Sequence, residues 1–202
     1  MVLGDRVDDA THARVLALSA AIAAANLPGV QEIVPAYATV AVFFDPLTAD
    51  AETLRARLAV LASGASDGPS DRPSDRPTIV IPTRYDGPDL DEVAERTGLT
   101  RDQVVRRHCA GVYRVYLLGF APGFAYLGTL DPALVLPRRR EPRLRVAAGS
   151  VAIAGAQTAV YPLGTPGGWH LLGRTELRMF DPRRQPPVLL CPGDRVRFEA
   201  VR

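Results

Sequence analysis

Three glycine- and proline-rich stretches hold the side chains best suited to bind or react. The first is GFAPGFAYLGTL, residues 119–130. Gly119 and Gly123 permit backbone shapes closed to other residues, and Pro122 stiffens the turn between them. A stiff turn can present Phe120, Phe124 and Tyr126 to a ligand or partner with little entropy lost on binding. The same rings could instead plug the end of a barrel. The second stretch is GSVAIAGAQTAVYP, 149–162. Its small apolar residues read as a buried strand, which Gln157 and Thr158 interrupt before Tyr161. Polar groups in an apolar path must find partners, in the backbone or in a ligand. The third is GTPGGWHLLGRT, 164–175. Gly167 and Gly168 let the backbone come close to another group. Thr165, Trp169, His170 and Arg174 carry the donors that could converge on an anion. A tight hairpin with an aromatic anchor has the same composition.

No catalytic base or nucleophile emerges. The chain has no G-x-x-x-x-G-K-[ST], no H-E-x-x-H and no G-x-S-x-G. All 24 basic residues are arginine, which excludes Schiff-base chemistry, a lysine base and a P-loop lysine. His12 and His108 fall on helix faces beside charged residues and are expected to be solvated. Cys109 and Cys191 lie too far apart in sequence for a disulfide framework or a metal motif, so reduced, packed thiols and no metal site are expected.

The net charge of +2 is uneven: −3 over residues 1–63, −1 over 64–77 and +6 over 78–202. A basic C-terminal part suits an anionic substrate or an acidic partner face. It falls short of a nucleic-acid signature, since aromatic residues do not alternate with the arginines. No apolar run reaches the ~18–20 residues that span a bilayer. The N-terminus lacks a basic start followed by an apolar core. A cytoplasmic protein is expected.

The elements that must position these loops fall into two groups. SDGPSDRPSDRP (66–77) cannot pack and reads as a linker within 64–77. Before it, helices over 11–26 and 49–63 flank two strands across Pro35, a small α+β domain over 1–63. Thr48 or Asp50 could cap the second helix. After it come a strand at 78–82 and helices over 89–98 and 100–111, the latter capped by Thr100. Short strands cut by Gly and Pro follow: 112–120, 145–155, 158–162, 170–174, 177–180 and 195–201. That spacing predicts a closed or nearly closed β-barrel over 78–202.

Taken in order, YDGPDLDEVAERTGL, YRVYLLGFAPGFAYLGTLDP, LPRRREPRLRVAAGSVAIAGAQTAVYPLGTPGGWHLLGRT, MFDPRRQPP and PGDRVRF resemble the family of the B-type subunit of 5-oxoprolinase. That family is also known as allophanate hydrolase subunit 1. It includes the Kip inhibitor of a sporulation histidine kinase, and it matches half of the carboxyltransferase domain of urea carboxylase (subdomains C and D). The likeness is specific from about residue 80 to 201 and looser over the first 63. It implies an α+β N-terminal domain followed by a mainly β, cyclophilin-like barrel. It also implies a subunit that pairs with a larger one of related barrel fold, the C-type subunit of 5-oxoprolinase or allophanate hydrolase subunit 2. The implied reaction is ATP-dependent opening of 5-oxoproline to glutamate, with the ATP site shared with the partner. A histidine-kinase inhibitor and a carboxyltransferase or allophanate hydrolase-type subunit are the alternatives. Phe120, Phe124, Tyr126, Gln157, Thr158, Tyr161, Thr165, Gly167, Gly168, Trp169, His170 and Arg174 would border the groove; no catalytic role is assigned to any of them. The chain departs from the family in a shorter RYDGPDL loop, a truncated first strand and the linker repeat.

Overall fold

The computed structural model describes residues 1–64 and 77–202. The expected Ser/Asp/Arg/Pro linker therefore lies outside the described residues, apart from its two ends. The chain divides into two compact units, Met1–Asp75 and Arg76–Arg202.

In the first unit, α1 (Asp9–Ala25) and α2 (Ala51–Gly64) accompany an antiparallel pair, β1 (Val30–Pro35) and β2 (Val40–Phe44). Each helix starts on an aspartate that satisfies an otherwise orphaned N–H. The Asp8 carboxylate accepts from the Thr11 N–H at 2.7 Å, and Asp50 from the Thr53 N–H at 2.8 Å. Val15, Leu18 and Ile22 of α1 meet Leu54 and Leu58 of α2 and Val40 of β2 in one core. His12 shares the buried face of α1 with Val15 and is sealed rather than solvated. Residues three apart along a helix point the same way, and the buried stripe runs one turn further than the apolar pattern suggested.

The second unit contains β3 (Ile79–Thr83), α3 (Leu90–Thr97), α4 (Arg101–Ala110), β4 (Tyr113–Leu118), β5 (Ala125–Gly128) and a 3-10 turn at Pro132–Leu134. These are followed by β6 (Arg143–Val146), β7 (Ser150–Ala154), β8 (Gln157–Val160), β9 (Thr165–Gly167), β10 (His170–Arg174) and β11 (Arg195–Ala200). Seven strands form one sheet in the order β10-β7-β8-β5-β4-β11-β3, antiparallel except for β11 against β3. Its two ends meet where Arg84 and Arg174 exchange backbone hydrogen bonds of 2.8 Å, so the sheet is nearly closed and barrel-like. β6 and β9 form a separate ribbon. The expected strand over 145–155 is split between β6 and β7, and 177–180 contributes only an isolated bridge, Phe180 to Val188. Thr100 caps α4 in a reciprocal capping box with Gln103.

Period-two alternation gives the sheet two apolar faces. Val151, Ile153, Val160, Leu127, Leu172 and Phe198 join Val93 of α3 and Val104 of α4 in the larger core. Ala152, Ala154, Ala159 and Leu171 point the other way, into a second cluster built around aromatic rings. Gly87 and Gly173 bring the chain between β3 and α3 onto β10. A Cβ on Gly87 would overlap the Leu171 carbonyl, and one on Gly173 the Arg84 carbonyl. The contact is sealed by Gly87 N–H to Leu172 O at 3.0 Å and Asp89 N–H to Leu171 O at 3.2 Å.

Candidate functional site

The turn between β4 and β5 exposes one ring and seals the other against it. Phe124 N–H donates to Ala121 O at 2.9 Å and Gly119 N–H to Phe124 O at 3.1 Å. Gly123 takes φ +78°, open to glycine, but Phe120 also takes a positive φ, +68°. For a bulky residue that backbone costs about 1–3 kcal/mol. The result is a Phe120 ring 62% exposed above a Phe124 ring that is sealed.

Phe124 is the hub of the second cluster. Its ring centroid lies 4.9 Å from Tyr126, 5.2 Å from Phe120, 5.3 Å from Tyr161 and 5.7 Å from Trp169, all edge to face. Small residues make this possible: Ala152, Ala154 and Ala159 floor the rings, and the Tyr161 ring lies against Gly167 where a Cβ would intrude. Burial pushes the Tyr161 hydroxyl pKa up. Trp169 is only 4% exposed, with the Arg138 guanidinium 6.0 Å from its ring centroid. Six of the expected groove residues thus come together: Phe120, Phe124, Tyr126, Tyr161, Gly167 and Trp169. Phe124, Tyr161 and Trp169 are buried supports, while Phe120 and half-buried Tyr126 form the accessible rim.

The remaining expected residues lie elsewhere. Gln157 is half-buried at the start of β8, opposite Ala154. Thr158, one residue on, faces the barrel interior. Its Oγ1 donates to Ala152 O at 3.0 Å and lies 2.8 Å from His108 Nε2. A hydroxyl with its proton committed can only accept from His108, which places the imidazole proton on Nε2. Nδ1 is then the acceptor for the Tyr85 O–H at 2.6 Å. His108 is therefore a fully buried link between α4, β8 and the β3–α3 connection, not a solvated side chain. Burial holds its pKa down to about 3 and pushes Tyr85 and Tyr113 up. Arg174 closes β10 and pairs with Asp86 at 3.0 Å on the surface. It stands four residues along the strand from His170, or ~13 Å. Thr165 Oγ1 is buried without a hydrogen-bond partner, and Gly168 O accepts from Arg139 N–H at 2.8 Å.

The strongest charge cluster was not anticipated from sequence. Asp89, almost fully buried, opens α3 without capping it. Its carboxylate accepts instead from Leu171 N–H at 2.7 Å, from Arg139 at 2.9 Å, and from Arg143 through two bonds of 2.6 and 2.9 Å. Arg139 also reaches Glu92 at 2.9 Å. His170 is sealed below, with Nε2 2.9 Å from Pro137 O and Nδ1 3.9 Å from Glu92 Oε1. The Pro137 carbonyl fixes the proton on Nε2. The signal available in sequence was the arginine-dense run RRREPRLR (138–145), which needs counter-charges wherever it is buried. Among the described residues no three His, Cys, Asp or Glu side chains are grouped to hold a metal ion.

Residues 1–190 match the model of the carboxyltransferase domain, subdomain C and D. The chain is similar to the B-type subunit of 5-oxoprolinase from Bacillus subtilis, 38% identical over 98% of this chain and 87% of that protein. It is 58% identical to the corresponding 5-oxoprolinase subunit of Escherichia coli O157:H7 over 59% of this chain and 56% of that one; the match spans little more than half of the E. coli protein. Among solved structures, TTHA0988 superposes with a TM-score of 0.89 at 44% identity, over all of this chain and 40% of that one.

Proposed function

The chain belongs to the carboxyltransferase subdomain C and D family, which includes the B-type subunits of 5-oxoprolinase, and on that premise we propose that it is the B-type subunit of an ATP-dependent 5-oxoprolinase. The observation that carries this reading is the identity with the B. subtilis protein over nearly the whole chain. In finer detail the reading comprises a small α+β domain over 1–63, a linker over 64–77 and a cyclophilin-like barrel over 78–202, working in the cytoplasm.

A lactam is a poor electrophile towards water. Phosphorylating its oxygen turns that oxygen into a leaving group, which accounts for the use of ATP. This chain holds no P-loop and no lysine, so the ATP site is shared with the larger partner, the C-type subunit or allophanate hydrolase subunit 2. The aromatic rim is where the shared site is bordered. Phe120 is held outward at an energetic cost that an isolated fold has no use for. Phe124, Tyr161 and Trp169 stiffen the rim from beneath. Gly167 lets the Tyr161 ring close in beneath it, whereas Gln157, Thr158, Thr165, Gly168, His170 and Arg174 stand outside this ring cluster.

The test is 5-oxoproline-dependent release of ADP by the purified chain, by the larger subunit, and by the two reconstituted together with any third component the native complex requires, with urea and allophanate run in parallel. Activity only in the reconstituted complex, and only on 5-oxoproline, is expected. Full turnover by this chain alone, or preference for urea or allophanate, would overturn the assignment.

A further inference from the structure

We propose that the strap Pro137–Glu141 and the adjoining side of α3 form a binding site for a phosphate chain, with Arg96, Arg138 and Arg140 as its cations. The strap and α3 enclose a cleft of about 630 Å³, bordered by four arginines (96, 138, 139 and 140) against two acids, Glu92 and Glu141. The lining therefore carries a net +2, and the buried Asp89–Arg143 pair beneath adds nothing to it.

The strap is fastened at three points. Pro137 O meets His170 Nε2 at 2.9 Å, Arg139 N–H donates to Gly168 O at 2.8 Å, and the Arg139 guanidinium is held by Asp89 and Glu92, each at 2.9 Å. With Arg139 turned inward, its neighbours Arg138 and Arg140 are exposed. Arg138 rests on Trp169. Arg96 is steadied by Glu92 at 3.1 Å. Arg140 has no ion pair or hydrogen bond to any described residue. Arg96 and Arg138, held before binding, lose less freedom when a phosphate arrives, Arg140 keeps its donors open for it, and the planar forks match the phosphate oxygens.

Several cations spread around one cleft suit a chain of phosphates better than a single carboxylate, which one fork satisfies. Trp169 is sealed beneath Arg138, so the site offers no ring for a nucleobase to stack on. Recognition is then of the phosphates, with little choice among bases. That the chain belongs to ATP rests on the function proposed above; the anion site itself does not.

Calorimetric titration of the purified full chain with tripolyphosphate, ATP, GTP, inorganic phosphate and 5-oxoproline tests this without requiring activity. Tripolyphosphate, ATP and GTP are expected to bind within about threefold of one another, and all should weaken strongly in about 0.5 M salt. Arg140→Gln, at an exposed position, should leave the melting temperature unchanged and weaken tripolyphosphate about tenfold. Glu141→Gln should tighten it. Failure of tripolyphosphate to bind at low salt, an unchanged affinity in Arg140→Gln, or saturable binding of 5-oxoproline alone would each overturn the proposal. Intact tripolyphosphate binding by a chain whose reconstituted complex ignores 5-oxoproline would instead support the anion site and overturn the proposed function.

Discussion

Acid should weaken the C-terminal unit in a pH window where carboxylates are still ionised, and His108 is the reason. Its ring is fully buried between Tyr85, Thr158, Tyr113 and Phe198, and that burial lowers its pKa to about 3. In the unfolded chain the same ring titrates near ~6.5. Between those values the unfolded state binds the extra proton, so stability rises with pH there. The contribution is complete above ~6.5 and is lost as pH falls towards 3. Each pH unit inside the window is worth ~1.4 kcal/mol, so moving from pH 6.5 to 5 should remove about 2 kcal/mol from a total of ~5–15. Asp131 and Asp181, whose carboxylates hydrogen bonds hold below their ordinary 3.8, lose their contribution only at lower pH. Urea unfolding followed by fluorescence of Trp169, the chain's one tryptophan, can be measured from pH 5 to 8. His108→Gln should be less stable at pH 8 but should lose about 2 kcal/mol less than the parent between pH 6.5 and 5. Parallel pH slopes for the two proteins, or an NMR titration of the His108 ring near 6.5 in the folded state, would refute the reasoning.

Three further outcomes follow from the site. Arg143→Ala strips the two-pronged partner from buried Asp89 but leaves it Arg139 and the Leu171 N–H, so it should cost about 1–3 kcal/mol, read as a fall in melting temperature; Asp89→Asn in the same background should recover part of it. Phe124→Ala removes the hub of four ring contacts and should cost ~3–5 kcal/mol in urea unfolding. Phe120→Gly should leave stability level or raise it by about 1 kcal/mol, because the positive φ is relieved. The same change should weaken capture of the larger subunit in a pull-down; unaltered capture would remove Phe120 from the docking rim.

Much of the local architecture was legible from residue types. Helical spacing of Val15, Leu18 and Ile22 placed α1's core face, and Thr100 marked the start of α4. Gly and Pro bounded β4, β8, β10 and β11 close to their observed ends, but they did not reveal the break between β6 and β7 or the strands β5 and β9. These are short-range effects, decided by backbone sterics and by which N–H groups lack a partner within one turn. His108 could not be read that way. Charged neighbours in sequence say which residues adjoin a helical position, not which strand will later cover it.

The sequence by itself determined the helices, four of the C-terminal strands, the aromatic turn and the family. Only the tertiary structure decided which rings are sealed and which are offered, turning Phe124 in and Phe120 out from a single turn. It also brought Arg139 and Arg143, 50 and 54 residues away in the chain, onto Asp89. The physical reason is that periodicity assigns a side chain to a face, whereas strand order and register assign that face its neighbours. Burial and charge pairing, and with them the chemistry of the site, depend on the neighbours.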